Sequence, residues 1–172
     1  MIRIGDFVLE RKKTMEETLS ALRLYLNKNR VIIVDENDYP CSEEQIKILL
    51  GGDNVKLRIK TIVQLEKETI EESLEYIGRI ERKINETIDC PNAADVFKWF
   101  PEIINAFLEL QKIGTYFNSD IITMEKIDEI AKKGLTELEE KNDSYLRELI
   151  EYELQPLLVD FKEYLLRGKF NC

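Results

Sequence analysis

An apolar side chain recurs at every third or fourth position for about 25 residues in the middle of the chain, and this pattern constrains the fold most. The stripe starts near Val63 and contains Leu65, Ile70, Leu74, Ile77, Ile80, Ile84 and Ile88. Such spacing places the apolar side chains on one face of an α-helix. Cys90-Pro91 ends the pattern, because proline cannot continue a helix. A helix of this length needs partners along its apolar face.

A second apolar stripe follows directly and predicts another helix. Its members are mostly large or aromatic, at Ala93, Val96, Phe97, Phe100, Ile104, Phe107 and Leu108. Pro101 interrupts this stripe, so we expect a kink there or a new helix that starts at the proline. Residues 114–120 have the composition of a loop.

Two more helices are predicted after that loop. The third carries Ile127, Ile130, Ala131, Leu135 and Leu138, with Asp120 or Thr123 as its N-cap. The fourth starts near Asn142-Asp143 and bends around Pro156. Four amphipathic helices joined by short connections favour an antiparallel helical bundle of about four helices.

The N-terminal third has the signals of short strands instead. Ile2-Arg3-Ile4 and Phe7-Val8-Leu9 flank Gly5-Asp6, which suits the type II′ turn of a hairpin. Val31–Val34 is a β-branched run of strand length. Residues 55–60 alternate between apolar and basic side chains, as expected for a strand with one solvated face.

Two capping boxes place helices between these strands. Thr14 precedes Glu17 by three positions, and an amphipathic helix should follow to about Asn29. Ser42 precedes Gln45 in the same way, and the short helix behind it should end at Gly51-Gly52. The order of strands and helices is that of a β-grasp module, so the predicted fold class is α+β.

Charge divides the chain at the same place as secondary structure. Residues 1–61 carry a net charge of +1, whereas residues 62–172 carry −10, which together give the −9 of the whole chain. We therefore predict a β-grasp-like αβ module at 1–61 and a helical bundle at 62–172. The Gly51-Gly52 pair is internal, so a carrier role that uses an exposed Gly-Gly terminus is not expected.

The chain resembles an uncharacterised bacterial family in which a short αβ module precedes a helical domain. The resemblance is carried by Ile59-Lys60-Thr61, by Glu72-Ser73-Leu74-Glu75-Tyr76, by the aromatic stretch around Trp99, and by the segment from Asn142-Asp143 to Leu157-Leu158. This resemblance implies the same architecture, and it implies no activity, substrate or cofactor.

The negative charge disfavours nucleic acid and anionic membrane surfaces as partners. The sequence contains no apolar run of the roughly 20 residues that a membrane-spanning helix needs, and residues 1–6 do not resemble a signal peptide. Three widely spaced cysteines, Cys41, Cys90 and Cys172, indicate free thiols in a reducing compartment. We expect a cytoplasmic protein.

Histidine is absent from the sequence. A chain without it cannot build a Ser-His-Asp or Cys-His catalytic system, a histidine-ligated zinc site or a Glu-x-x-His di-iron site. Cys41 therefore lacks a histidine base that would activate it as a nucleophile. We predict no catalytic residues and no cofactor.

Aromatic side chains outside the apolar stripes are the candidate partner-binding residues. Trp99 lies about a third of a turn off its stripe, and Tyr116 and Phe117 fall in the predicted loop. Tyr152 lies four residues before Pro156, where the proline frees its carbonyl. Exposed aromatic residues are common anchors of protein interfaces, so we predict a non-enzymatic adaptor, small chaperone or assembly factor, and we expect a homodimer. For each of these residues, packing or a simple structural kink is the alternative.

One enzymatic alternative uses carboxylates. The adjacent Glu71 and Glu72 lie one helical turn before Glu75, an arrangement like that of the all-α nucleotide pyrophosphohydrolases that hold Mg²⁺. A facing acidic pair would be needed, either Glu148 with Glu151 or Asp128 with Glu125. A solvated helix face accounts for the same spacing, because 24 acidic residues lie within residues 62–172.

Overall fold

The chain has an α+β fold that divides into two compact units. A computed structural model describes residues 1–170, with side chains described through Gly168. The first unit is Met1–Glu68, and the second begins at Thr69. The division falls within a helix, a few residues after the charge boundary near Thr61. Cys172 lies outside the described residues.

The first unit contains a four-stranded mixed sheet. Its strands are β1 (Ile2–Ile4), β2 (Phe7–Leu9), β3 (Val31–Val34) and β4 (Val55–Thr61). Their order is β2-β1-β4-β3, in which β1 pairs parallel with β4 and the other two pairings are antiparallel. Gly5 has a φ of 57°, and the positive φ at this first loop position fits the type II′ turn expected of the hairpin.

Two helices complete the first unit, α1 (Met15–Asn29) and α2 (Glu43–Leu50). The Thr14 side chain accepts from the Glu17 backbone N–H, and Ser42 forms the full reciprocal capping box with Gln45. Both predicted N-caps are therefore confirmed. The buried apolar core comes from one face of the sheet and from the helices, at Ile2, Ile4, Leu9, Leu19, Leu22, Ile33, Leu50, Val55 and Leu57.

Helices make up the rest of the described chain. In order they are α3 (Ile62–Asp89), α4 (Ala93–Tyr116), α5 (Met124–Glu140), α6 (Asp143–Glu148), a π-helical segment (Leu149–Leu154) and α7 (Gln155–Phe170). Thr123, one of the two predicted alternatives, is the N-cap of α5, and α6 starts at the predicted Asn142-Asp143 with Asn142 as its N-cap. Among residues 1–170, no helix combines the length and apolarity needed to cross a lipid bilayer.

Helix α4 decides between the two alternatives at Pro101 and is longer than the sequence predicts. No new helix starts at Pro101, because α4 continues through this exposed proline, which leaves the Phe97 carbonyl without its helical donor. It also extends beyond Gly114 to Tyr116, so the predicted loop at residues 114–120 is shorter than expected. Gly114 is buried and lies against the ring of Phe161, so this glycine serves packing within the helix.

A π-helical segment lies just before Pro156, where the sequence predicts a bend. Proline has no backbone N–H, so the Tyr152 carbonyl cannot receive the usual bond from Pro156. The adjacent Gln155 N–H bonds to the Ile150 carbonyl, five residues back, which is the π-helical pattern. One wide turn between two α-helical segments therefore accommodates the missing hydrogen bond between Pro156 and the Tyr152 carbonyl.

The helical unit packs around buried aromatic and aliphatic side chains. Phe100, Phe107 and Phe161 are among its largest fully buried residues. A Cβ placed on Gly134 would lie 2.1 Å from the Phe100 ring, so this glycine allows α5 to approach α4 closely. Arg147 donates to the carbonyls of Thr87 and Ile88 at 2.9 and 2.7 Å, which satisfies the C-terminal end of α3.

Candidate partner-binding groove

The four aromatic residues singled out in the sequence have different environments. Tyr152 and Tyr116 are 68% and 55% exposed, whereas Trp99 and Phe117 are half-buried. Tyr116 and Phe117 contact each other edge to face with ring centroids 4.9 Å apart. Trp99 is 17 residues earlier than Tyr116 on the same helix, which is about 25 Å along its axis. The structure therefore brings only Tyr116 and Phe117 together.

Phe117 is held by packing and hydrogen bonds at the end of α4. Its ring packs against the apolar core, and its carbonyl accepts a 2.6 Å hydrogen bond from the Tyr164 hydroxyl. Its backbone N–H bonds back to the Ile113 carbonyl at the end of α4. These contacts fix the C-terminal end of that helix.

Trp99 lies between two lysine side chains. The Lys83 ammonium on α3 is 3.6 Å from the indole ring centroid, and that of Lys98 is 4.4 Å away. Both distances are within the range of cation–π attraction. Lys83 also pairs with Glu86 at 3.1 Å. Trp99 thus forms part of a contact between α3 and α4 while its side chain remains partly accessible.

A groove of about 420 Å³ lies further along the same two helices and reaches the first residue of α5. Its lining combines an aromatic ring, three apolar side chains and four polar ones, namely Tyr76, Ala106, Leu108, Met124, Glu102, Asn105, Glu109 and Lys112. Glu102 and Ala106 follow Trp99 by three and seven positions, so all three lie on one face of α4. The groove therefore begins about one turn from Trp99.

Charge is distributed unevenly around the groove. The Lys112 ammonium pairs with the Glu109 carboxylate at 2.8 Å, whereas Glu102 is exposed and forms no ion pair within residues 1–168. Arg79 lies 5.4 Å from the centroid of the Tyr76 ring. Burial raises the pKa of Tyr76, and the nearby Glu109 charge raises it further, so its hydroxyl stays protonated and able to donate a hydrogen bond.

Sequence reasoning missed Tyr76 and Met124 as site residues. Tyr76 is two positions from Leu74 of the apolar stripe, and its ring packs partly against the core. Met124 is the first residue of α5 and is 45% exposed. One feature of the sequence could have identified Tyr76 as a site residue. Tyr76 precedes Lys83 by seven positions, which places both residues on the face of α3 that meets α4.

The carboxylates of the enzymatic alternative lie on exposed helix surface. The exposed set comprises Glu71, Glu72 and Glu75, together with both candidate facing pairs, Asp128 with Glu125 and Glu148 with Glu151. Within the described part of the chain, no group of three or more acidic, cysteine or histidine side chains is arranged to hold a metal ion. The geometry gives this alternative no support.

Cys41 is a half-buried thiol in the first unit. Burial raises the pKa of Cys41, and the nearby Asp35 charge raises it further. A raised pKa lowers the thiolate fraction near neutral pH, and the thiolate is the nucleophilic form.

Comparison with known proteins adds no assignment to this geometry. No family model matches the chain, no curated protein sequence is similar to it, and no solved structure matches its fold. The resemblance to a bacterial family therefore stays a prediction.

Proposed function

We propose that this chain is a non-enzymatic protein-interaction module, of the adaptor, small-chaperone or assembly-factor type, that binds a helical segment of a partner protein in the groove between α3, α4 and α5. The observation that supports it is the accessibility of apolar side chains within a concave surface. Tyr76, Leu108 and Met124 line this groove without being fully buried. Concave, mainly apolar surfaces with a few polar groups are the usual form of binding sites.

The groove favours an amphipathic helix with one large apolar anchor. A volume of about 420 Å³ accommodates a side chain of the size of leucine or phenylalanine together with its backbone. Burying such a side chain contributes roughly 1.5–3 kcal/mol. A lysine or arginine one turn from the anchor would face the Glu102 carboxylate, which pairs with no cation in the described part of the chain.

Trp99 extends this surface along α4. Its position is about 10 Å from that of Ala106 along the helix axis, which corresponds to two turns of a bound helix. Tryptophan is among the residues that contribute most to binding energy at interfaces. Of the four aromatic residues predicted from the sequence, Trp99 is therefore the one we assign to this surface. Tyr116, Phe117 and Tyr152 lie outside the groove lining and are not needed for the proposal.

We also propose a fold, a cellular compartment and an oligomeric state for the chain. The strand order β2-β1-β4-β3 supports a β-grasp-like module at residues 1–61, and the helices support an antiparallel bundle of about four helices at residues 62–172. We place the chain in the cytoplasm, where reducing conditions keep isolated thiols free. We further propose that the chain forms a homodimer. Light scattering, which measures the molar mass in solution, tests this.

The test uses two matched substitutions on α5. Met124→Glu adds a carboxylate to the groove, where it disfavours an apolar anchor, while a negative charge in the first turn of a helix is well tolerated. Leu135→Glu makes the same chemical change at a 59% exposed position on the same helix, outside the groove lining. Partners captured by the wild-type chain are identified, and their dissociation constants are measured for all three proteins.

We expect Met124→Glu to weaken partner binding at least tenfold, which corresponds to about 1.4 kcal/mol. Leu135→Glu should bind within twofold of wild type. Equal weakening by the two substitutions, or none by either, contradicts the groove as the binding surface. A partner that is converted to a product by the chain contradicts the non-enzymatic assignment.

A further inference from the structure

Basic side chains are collected on the face of the sheet opposite the apolar core. Side chains alternate between the two faces of a strand, so Lys56, Arg58 and Lys60 of β4 share one face while Val55 and Leu57 enter the core. Arg3 joins this face, because it lies directly beside Lys56 in the parallel register of β1 and β4. We call these four cations, Arg3, Lys56, Arg58 and Lys60, the basic sheet face.

An acidic segment of the chain already occupies one end of the basic sheet face. The Asp38 carboxylate contacts Arg58 at 2.6 Å and Lys60 at 3.3 Å. The Arg58 guanidinium also donates to the backbone carbonyls of Asp35 and Glu36, at 3.1 and 2.9 Å. The sheet therefore binds an acidic loop through both carboxylate and backbone oxygens, and these charge-assisted bonds are the stronger class of hydrogen bond.

The other end of the basic sheet face has no acidic occupant among the described residues. Arg3 and Lys56 are exposed and form no ion pair or side-chain hydrogen bond with the side chains described through Gly168. They line a depression of about 330 Å³ together with Met1, Asn54 and Val55. Val8 pairs with Arg3 in the register of β1 and β2, so it lies on the same face of the sheet, and it is 41% exposed.

We propose that Arg3 and Lys56 bind an acidic peptide segment of a partner protein, in continuation of the contacts made by the chain's own residues 35–38. Neighbouring strands are about 4.8 Å apart, so one carboxylate can contact both cations. The Asn54 side chain can donate to the backbone of the bound segment, and Val8 packs against an adjacent aliphatic side chain. This site belongs to the first unit and is independent of the groove in the helical unit.

The geometry favours a peptide over a nucleic acid. Nucleic-acid surfaces gain affinity by neutralising many phosphates in a row, whereas only two cations of this face lack partners within the described residues and the whole chain carries −9. The apolar Val8 has no counterpart to contact in a phosphate backbone. The loop at residues 35–38 shows the expected form of the bound state, because its carboxylate and peptide carbonyl oxygens share the same arginine.

The test titrates the ¹⁵N-labelled full chain with a synthetic heptapeptide in which glutamate and aspartate alternate with valine, in 50 mM salt. We expect amide shifts to concentrate at the start of β1 and at residues 54–56. Charge reversal by Arg3→Glu with Lys56→Glu should weaken peptide binding at least tenfold. The control reverses two other exposed lysines of the same unit, Lys13→Glu with Lys28→Glu, and should remain within twofold of wild type.

Three results would overturn the proposal. These are unchanged binding in the Arg3 and Lys56 variant, equal loss in the control variant, or displacement of the peptide by an equal concentration of inorganic phosphate or of oligothymidylate. If charge reversal prevents folding, the neutral pair Arg3→Gln with Lys56→Gln replaces it, and the same tenfold loss is required. Raising the salt to 300 mM should also weaken binding severalfold, because these exposed charges are screened.

Discussion

Two glycine-to-alanine substitutions should change the stability of the helical unit in opposite directions. A Cβ added to Gly78 in α3 would have no atom within 4 Å beyond its chain neighbours and the local helix backbone, whereas a Cβ added to Gly134 in α5 would lie 2.1 Å from the Phe100 ring. Alanine is about 1 kcal/mol better than glycine inside a helix. Gly78→Ala should therefore raise the free energy of unfolding by about 0.5–1 kcal/mol.

Gly134→Ala gains the same helix propensity but must displace a buried ring. Nonbonded carbon atoms pack at roughly 3.5–4 Å, so the Phe100 ring has to move by about 1.5 Å within a close-packed core. Overpacking of this kind costs about 1–3 kcal/mol, and the size of the overlap places this case in the upper half of that range. After the propensity gain, we expect a net loss of about 1–2 kcal/mol.

Urea unfolding followed by tryptophan fluorescence measures both effects. Trp99 is the sole tryptophan and lies one residue from Phe100, so the signal reports on the unit that contains both substitutions. With a denaturant slope of about 2 kcal/mol/M, the two variants should differ by roughly 1 M in their unfolding midpoints. Equal stabilisation by both substitutions would refute the close packing of α5 on α4.

Three further substitutions test individual contacts. Arg147→Met removes two charge-assisted hydrogen bonds from the end of α3 and should lower the free energy of unfolding by about 2 kcal/mol in the same urea assay. A loss below about 0.5 kcal/mol would argue against a stabilising role of these two bonds. Tyr164→Phe removes the hydroxyl that bonds to the Phe117 carbonyl at the end of α4 and should cost about 1 kcal/mol; no change would mean that solvent replaces the bond. Burial and then the Asp35 charge raise the pKa of Cys41, so the rate of its alkylation by iodoacetamide should have a midpoint above pH ~8.5. Asp35→Asn should lower that midpoint. A wild-type midpoint below pH ~8 would contradict this environment of the thiol.

Local signals in the sequence located most of the secondary structure. Capping at Thr14, Ser42, Thr123 and Asn142 depends on a side chain and a backbone N–H only a few residues away, so sequence spacing determines it. Apolar periodicity located the helices for the same reason. Gly114 is an exception, because its place inside a helix depends on packing against Phe161, which is 47 residues later in the chain.

The candidate groove could not be derived in the same way. Tyr76 and Met124 come from different helices, and only packing of α3, α4 and α5 brings them together. Neither residue stands out locally, because a tyrosine beside an apolar stripe and a methionine at a helix start are both ordinary. Trp99 was identified because it departs from its own stripe, although its contact with Lys83 depends on tertiary structure.

Site-specific photo-crosslinking in cells can show whether a partner protein binds in the groove of the helical unit. A photoreactive phenylalanine analogue replaces Asn105, an exposed residue of the groove lining, or Leu135 or Val159 as exposed controls on α5 and α7 outside that lining. We expect one dominant crosslinked partner from position 105 in cells, lost when Met124→Glu is added, and little crosslinking from the controls. No crosslink from position 105, or stronger crosslinking to the same partner from position 135 or 159, would show that the partner does not bind in the groove.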